Sequence, residues 1–257
     1  MRSSGNADRR RDLLAYTRSR GRTEVSDLAA HLGVASETVR RDLTLLARQG
    51  LLRRTHGAAH PVDNAGFETT LKYRSGHLVP QKRTIARAAV ELIGAADSLY
   101  LDDGYTPGLI AADLAAGGRR MTVITPSIPV AITLARSDNI SVIILGGSVR
   151  HQTLGIVGHW TTDMLSTLLV DVAVVGANGI STDRGLSTPD PAVSAVKTAV
   201  LRRATRKVFV GVHTKFGVDS FSSFADVAEF EALITDRGLS SQEARRYAEL
   251  GPHVIRT

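Results

Sequence analysis

Between residues 98 and 234 the chain alternates short apolar runs with longer stretches of helical period, and each run stops at a polar or glycine-rich loop. "SLYL" precedes "DDGYTP", "MTVI" precedes "TPSIP", "SVIIL" precedes "GGSVR", "DVAVV" precedes "GANGIS", "KVFV" precedes "GVHTKFG", and "ALI" precedes "TDRG". Strands that are apolar throughout are buried on both faces, and parallel strands need helical crossovers between them. The fold class expected is therefore α/β, with a mostly parallel sheet covered by helices. The polar loops then gather outside the carboxyl ends of the strands, where open α/β sheets bind ligands. Any one of these loops is equally well explained as a turn. Six of the same chemistry on one edge point to a binding site.

Two of the loops suit an anion. Thr106-Pro107 and Thr125-Pro126 each set a hydroxyl before a proline, ahead of the helical stretches "GLIAADLAA" and, after Ser127, "IPVAITLAR". A hydroxyl at the cap and a proline in the first turn both favour a helix start, whose N–H groups and positive dipole end attract phosphate. Lys215, in "HTKFG", adds a full charge. Neither G-x-x-x-x-G-K nor G-x-G-x-x-G occurs, which excludes a Walker loop and a dinucleotide fingerprint.

The first sixty residues differ in character. They hold 12 arginines and no lysine against six Asp and Glu, so +6 of the chain's formal +7 lies in its first quarter. Such asymmetry is the footprint of a small nucleic-acid-binding domain attached to a near-neutral one. Asp8 is placed to cap a first helix running through "RRRDLLAYTRSR" to Gly21. Ser26 is placed to cap "DLAAHL", where Leu28, Ala29 and Leu32 form the apolar stripe and Gly33 supplies the turn. A third helix, "SETVRRDLTLLARQG", sets Val39, Leu43, Leu46 and Ala47 on one side and Glu37, Arg40, Arg41, Thr44 and Arg48 on the other. On its own that charged side is a solvated face, with Glu37–Arg pairs worth a few tenths of a kcal/mol, about 0.2–0.5 each. Behind a helix and a glycine turn it becomes the recognition element of a helix-turn-helix module. After Gly50, "LLRRTHGAAH" reads as strand, turn and return strand, a wing that sets Arg53, Arg54 and His56 toward a DNA backbone. The domains expected are residues 1–60 for DNA binding, a linker over 61–80 that lacks clear periodicity, and an effector domain over 81–257.

The chain has no cysteine, so disulfides and thiolate metal sites are excluded, and its eight histidines show no metal-ligand spacing beside a carboxylate. No apolar run reaches the roughly 20 residues of a membrane span, and the arginine-rich start is not followed by a secretory apolar core. A cytoplasmic location, no membrane partner, no metal and no cofactor are expected. Asn139-Ile140-Ser141 matches a glycosylation sequon that an unexported chain would not use.

"GRTEVSDLAAHLGVASETVRRDLTLLARQGLLRRTHGAA" resembles the N-terminal signature of the DeoR family of bacterial transcriptional regulators. Val34, Thr38, Val39, Arg40, Arg41, Asp42, Leu43, Gly50, Arg54, His56, Gly57 and Ala59 match its pattern. Two residues depart from it. Ala35 stands where the family has a capping Ser, whose loss costs about 1 kcal/mol unless the helix begins later, at Ser36; Ala58 replaces a wing glycine. The resemblance continues through "DDGYTP", "TPS", "GG", "GANGI" and "TKFG", which sit where the family's effector domains carry their own loops. Those domains are similar in fold to ribose-5-phosphate isomerase and glucosamine-6-phosphate deaminase. The resemblance implies a sugar-phosphate site lined by Gly104, Thr106, Thr125, Ser127 and Lys215, with Asp103, Asn178 and Gly179 near the sugar and Tyr105, Gly146 and Gly147 in the same loops. Tyr105 replaces a family Thr, Pro126 replaces an Asn, and Thr214 replaces a Ser, which points to a ligand of altered shape or a site that has lost the usual one.

The function expected is a DNA-binding regulator, a repressor, whose affinity for a double-stranded operator is controlled by a phosphorylated sugar. Ser36, Thr38, Arg40, Arg41 and Thr44 would meet the DNA, with Arg54 and His56 in the wing. One recognition helix reads little sequence, so a homodimer or homotetramer on repeated half-sites is expected. A sugar-phosphate isomerase carrying a DNA-binding domain is the alternative, and an architectural DNA binder a third. No catalytic residue is assigned: isomerisation needs a positioned base, and Asn178 and Gly179 stand in the neighbourhood of the Asp-Gly-Ala-Asp loop of the similar isomerases. Asp102, Asp103 and Asp183 remain as candidate bases, but two adjacent aspartates at a strand end are as readily explained by sugar-hydroxyl binding or a turn.

Overall fold

The computed structural model describes residues 3–20, 23–48, 51–55, 57–61 and 70–257. In the N-terminal part, α1 (Ser3–Arg20), β1 (Thr23–Glu24), α2 (Val25–Leu32) and α3 (Ser36–Arg48) lead into the wing strands β2 (Leu52–Thr55) and β3 (Ala58–Pro61). β3 lies between β1 and β2 in an antiparallel sheet. Leu13, Leu28, Val39, Leu43 and Leu52 are fully or almost fully buried together, which is the core that the apolar stripes call for. Tyr16 stacks on His31 at 3.9 Å, and His31 Nε2 lies 3.0 Å from Asp12, so α1 and α2 are also joined at the surface.

Gly33 ends α2 with φ 62, as the turn requires. Two caps differ from expectation. α1 begins at Ser3, which puts Asp8 inside the helix and paired with Arg11 at 3.1 Å. α2 begins at Val25, one residue before Ser26, and its cap position is Glu24, which makes no side-chain capping bond. The reason lies in the sheet: Thr23 and Glu24 pair with β3, and the Val25 N–H donates to the Gly57 carbonyl at 2.8 Å, so the wing takes the place of a cap. α3 begins at Ser36, with the Ala35 carbonyl accepting from Thr38 and Val39. Ala35 is thus the cap residue and has no side chain to offer.

Asp42 faces inward at 3 % exposure. Arg9 Nε donates to its Oδ2 at 2.7 Å and Arg10 Nε to its Oδ1 at 3.0 Å. The acidic residue in "VRRDL" therefore binds α3 to α1, while its arginine neighbours remain outside.

The remainder runs α4 (Leu71–Arg74), α5 (Val79–Ile93), β4 (Ser98–Leu101), α6 (Tyr105–Ala116), β5 (Met121–Thr125), α7 (Ile128–Leu134), β6 (Ile140–Ile144), β7 (Ser148–Val149), β8 (Ile156–Val157), α8 (His159–Ser166) and β9 (Val170–Val175). It continues with β10 (Gly179–Ser181), β11 (Gly185–Thr188), α9 (Pro191–Leu201), β12 (Ala204–Val210), β13 (Ser222–Ala225), β14 (Ala232–Thr235), α10 (Ser241–Ala248) and β15 (His253–Arg256). Seven strands form one parallel sheet in the order β15-β14-β12-β9-β4-β5-β6. All six apolar runs are strands of it. β15 is a seventh, at an edge, where its more polar sequence did not show the same pattern.

Alternate residues supply two cores. Leu99, Leu101, Val172 and Val174 pack under α5, α6 and α7. Tyr100, Ala173, Val175 and Phe209 face α8, α9 and α10. β4 is the first strand of the sheet in the chain; later strands add beside β5 on one side and from β9 on the other. The order therefore reverses between β4 and β9, and the carboxyl ends of these two strands diverge to leave a crevice.

Replacing Asp42 with Ala should destabilise the N-terminal fold by about 2–3 kcal/mol, since two charge-assisted hydrogen bonds are lost from a buried acceptor. Hydrogen exchange of the α1 amides would then speed up well over tenfold, and a change below twofold would count against this account. Ala35→Ser should add about 1 kcal/mol by supplying the absent cap, read as a rise in the denaturation midpoint with unchanged slope.

Candidate functional site

The exposed side of α3 collects the first set of functional side chains. The side chains of Arg40 and Arg41 are 54 % and 80 % exposed, and each lies near Glu37, at 3.4 and 3.8 Å. Contacts of that exposure are weak and readily exchanged for DNA phosphates. The Thr44 hydroxyl donates to the Arg40 carbonyl at 2.7 Å and accepts from Arg54 Nη1. That bond draws the wing to the recognition helix, so Arg40, Thr44 and Arg54 form one connected face. Ser36 and Thr38 lie half-buried in the first turn of α3. His56 lies outside the described residues.

The second set surrounds a cavity of about 280 Å³ at the crevice between β4 and β9. Its lining includes Asp102 to Pro107 after β4, Gly176 to Asn178 after β9, and Val210 at the end of β12 with Gly211, Val212, Thr214 and Lys215 after it. α6 begins at Tyr105 behind Gly104, whose φ of 126 suits only glycine, and no side chain caps it. The start of this helix, lined by Gly104, Tyr105 and Thr106, opens on the cavity. Thr106 thus stands within the first turn rather than at the cap, because Gly104 already turns the chain into the helix.

Asp103, Gly104, Tyr105, Thr106, Asn178 and Lys215 are brought together as lining residues. Thr125, Ser127, Gly146, Gly147 and Gly179 are not in the lining, and each has a local task. The Thr125 hydroxyl accepts from the Ser127 N–H at 3.1 Å, and Ser127 caps α7 by accepting from Val130. Pro129, not Pro126, occupies the first turn of that helix, and the Ile128 N–H donates to the Leu154 carbonyl. The second expected anion-binding helix start is therefore closed by its own cap. Gly146 donates its N–H to Met164 Sδ at 3.2 Å, Gly147 lies tight against Thr161 and the Val157 carbonyl, and Gly179 starts β10 beneath the Val218 carbonyl.

Lys197, Arg74, His77 and Lys82 line the cavity and were missed from the sequence, which had offered Asp102 as a possible base. Asp102 and Lys197 form an ion pair with 1 % and 4 % of each residue exposed. Asp102 also accepts from the Gly176 N–H at 2.8 Å, and Lys197 donates to the Gly176 carbonyl at 3.1 Å. Lys197 belongs to the buried stripe of α9 with Val193, Val196, Val200 and Leu201, so a lone lysine at a core position was the available signal. Arg74, His77 and Lys82 enter from the segment read as linker and from the start of α5. Lys82 Nζ donates to the carbonyls of Arg74 and His77 at 2.8 and 2.6 Å and lies 5.4 Å from the Tyr105 ring centre.

Burial pushes the Asp102 carboxyl up to about 6, against the pull of Lys197. Burial acts the same way on Asp103, but Lys197, the Thr153 hydroxyl, Arg74 and Arg150 outweigh it and hold that carboxyl below its ordinary range. Burial, and then the adjacent Arg74, lower Lys82 to about 8. The cationic lining residues Arg74, Lys82, Lys197 and Lys215 outnumber the two carboxylates. An anionic group placed here gains from both the charge excess and the open helix start. Among the described residues no three His, Asp or Glu side chains cluster to hold a metal ion.

Residues 9–65 match a family model described as a DeoR-like helix-turn-helix domain, and residues 78–237 match the DeoR C terminal sensor domain. The chain is similar to the HTH-type transcriptional regulator GlpR of Haloferax volcanii, with 30% identity over 97% of each chain. It is also similar to the glycerol-3-phosphate regulon repressor of Escherichia coli, with 28% identity over 89% of this chain and 90% of the relative. Among solved structures, ribose 5 phosphate isomerase A from Neisseria gonorrhoeae shares 18% identity over 53% of each chain, with a TM-score of 0.40.

The Lys82 position sets a pH dependence. Lys82 carries its charge below about 8 and loses it above, so a phosphate monoester held here should bind about tenfold more weakly at pH 9 than at pH 7. The ester's own second ionisation, near 6, lies below that window. Calorimetric titration should show this fall in the native chain and a flatter profile in Lys82→Met; a flat native profile would exclude Lys82 from the anion's surroundings.

Proposed function

Because the chain belongs to the DeoR family of transcriptional regulators, we propose that it is a sequence-specific repressor whose affinity for double-stranded DNA is set by a phosphorylated sugar or related metabolite. The observation that carries the effector half is the cavity, in which an uncapped helix start and a cationic excess meet an ionised Asp103 and Asn178. The phosphate is assigned to the start of α6, Lys215, Arg74 and Lys82, and the sugar hydroxyls to Asp103 and Asn178. A volume of about 280 Å³ lies at the small end of ligand pockets and suits a compact phosphate ester. Glycerol 3-phosphate, after which the regulon of the Escherichia coli relative is called, is the first compound to try.

Arg40 and Arg41 are assigned to base edges and phosphates, supported by Ser36, Thr38 and Thr44, with Arg54 and His56 holding the backbone from the wing. The domains proposed are 1–60 for DNA binding and 81–257 for the effector, joined by 61–80. A homodimer or homotetramer in the cytoplasm would place two such helices on repeated half-sites. Binding without turnover is supported by the carboxylates at the cavity. Asp102 is engaged by Lys197 and Gly176, Asp103 is made a weak base by the cations around it, and the amide of Asn178 accepts no proton.

Fluorescence anisotropy on DNA from upstream of the protein's own gene, at fixed salt, tests both halves. One phosphorylated compound should shift the affinity at least fivefold, within the 1–3 kcal/mol typical of coupled sites, about 5- to 150-fold. Arg40→Ala or Arg41→Ala should weaken operator binding by about 1–3 kcal/mol and unrelated DNA by less. Tight binding indifferent to every compound would refute the effector, and conversion of a compound to product would refute the non-catalytic assignment.

A further inference from the structure

We propose that the segment leading out of the DNA-binding domain forms one wall of the effector cavity, latched there by Lys82, so that an anion in the cavity acts directly on the chain that carries the DNA-binding domain. The inference rests on the cavity being the effector site.

β3 ends at Pro61, and the next described element, α4, begins at Leu71. α4 and the turn after it contribute Arg74 and His77 to the cavity wall. Two of the three protons on the Lys82 ammonium are committed to the carbonyls of those same residues, at 2.8 and 2.6 Å. At its other end α4 is held by the Leu71 N–H, which donates to the Gln152 carbonyl at 2.9 Å. Gln152 adjoins the loop whose Thr153 hydroxyl bonds Asp103 and whose Gly155 lies so close to Asp103 that a Cβ there would sit 2.5 Å from its Oδ2. One anchor of α4, Lys82, therefore lines the ligand space, and the other adjoins residues packed on Asp103, which lines it too.

The turn between them carries backbone strain. Leu78, just before α5, has φ 51, a left-handed conformation that a leucine adopts only where its surroundings force it. Burial is the main cause of the lowered proton affinity of Lys82, and the like charge of Arg74, which lines the same cavity, adds to it. An anion between them removes that repulsion and competes for the Lys82 protons that now hold the turn. The ligand thus binds the latched and unlatched arrangements unequally, which is what it needs to alter DNA affinity.

Hydrogen exchange of the full chain, titrated with inorganic phosphate and with glycerol 3-phosphate, tests this. Peptides covering 71–82 and 104–108 should change exchange rate together, with one midpoint and by at least threefold. Protection at 104–108 with no change at 71–82 overturns the latch and leaves the effector site standing. No change at either segment overturns both. In Lys82→Met, the ratio of DNA affinities with and without saturating ligand should fall from at least fivefold to below twofold. Saturation removes any loss of ligand affinity from that comparison, and an unchanged ratio overturns the inference.

Discussion

The cost of keeping an ionisable carboxyl out of water organises the effector domain. Asp102 follows the interior strand β4, where the sheet and its covering helices leave it 1 % exposed. An uncompensated charge in such a place costs several kcal/mol, and the structure compensates it with the Lys197 ammonium and the Gly176 N–H. Because Lys197 also bonds the Gly176 carbonyl, the same three residues join the end of β4, the turn after β9 and the middle of α9. The two lips of the crevice are thereby fixed to each other and to the helix beneath them, independent of any ligand. The floor of the cavity is preorganised, and little ordering free energy remains to be supplied on binding.

The opposite wall is built differently. Arg74 and His77 are held through backbone carbonyls by one lysine, next to a leucine in a strained conformation. A preorganised floor beside a wall latched through backbone carbonyls suits a sensor. An enzyme gains by fixing every reacting group, whereas a sensor must convert occupancy into a displacement.

The parts of this architecture that were legible in the sequence share a physical cause: they are set by local pattern. Doubly buried strands read as unbroken apolar runs, and all six such runs became strands of the sheet, although β6, at an edge, leaves Ile143 and Ile144 exposed. The recognition helix read correctly because one side had to be apolar, and Gly33 because only a left-handed residue closes that turn. Features set by tertiary partners were not legible. Ser26 and Asp8 are sound caps in isolation, but pairing of β1 with the wing moved one helix start and an early beginning of α1 enclosed the other. Thr125 and Ser127 matched an anion site in composition, yet the chain uses them on α7. Arg74 and His77 went unread because a segment without periodicity offers no pattern, and Lys82 because a lysine in the first turn of a helix reads as surface; only folding shows that they line a cavity. Lys197 was readable in principle, as the one charge on an otherwise apolar stripe.

The run "VRRDL" divides its work residue by residue. Val39, Asp42 and Leu43 are enclosed, and Asp42 alone binds α3 to the arginines of α1. Arg40 and Arg41 point away from that core. The outer positions can therefore vary without disturbing the fold that presents them. Descendants of one such module can diverge to read different promoters, and a change of target need not pass through a poorly folded intermediate.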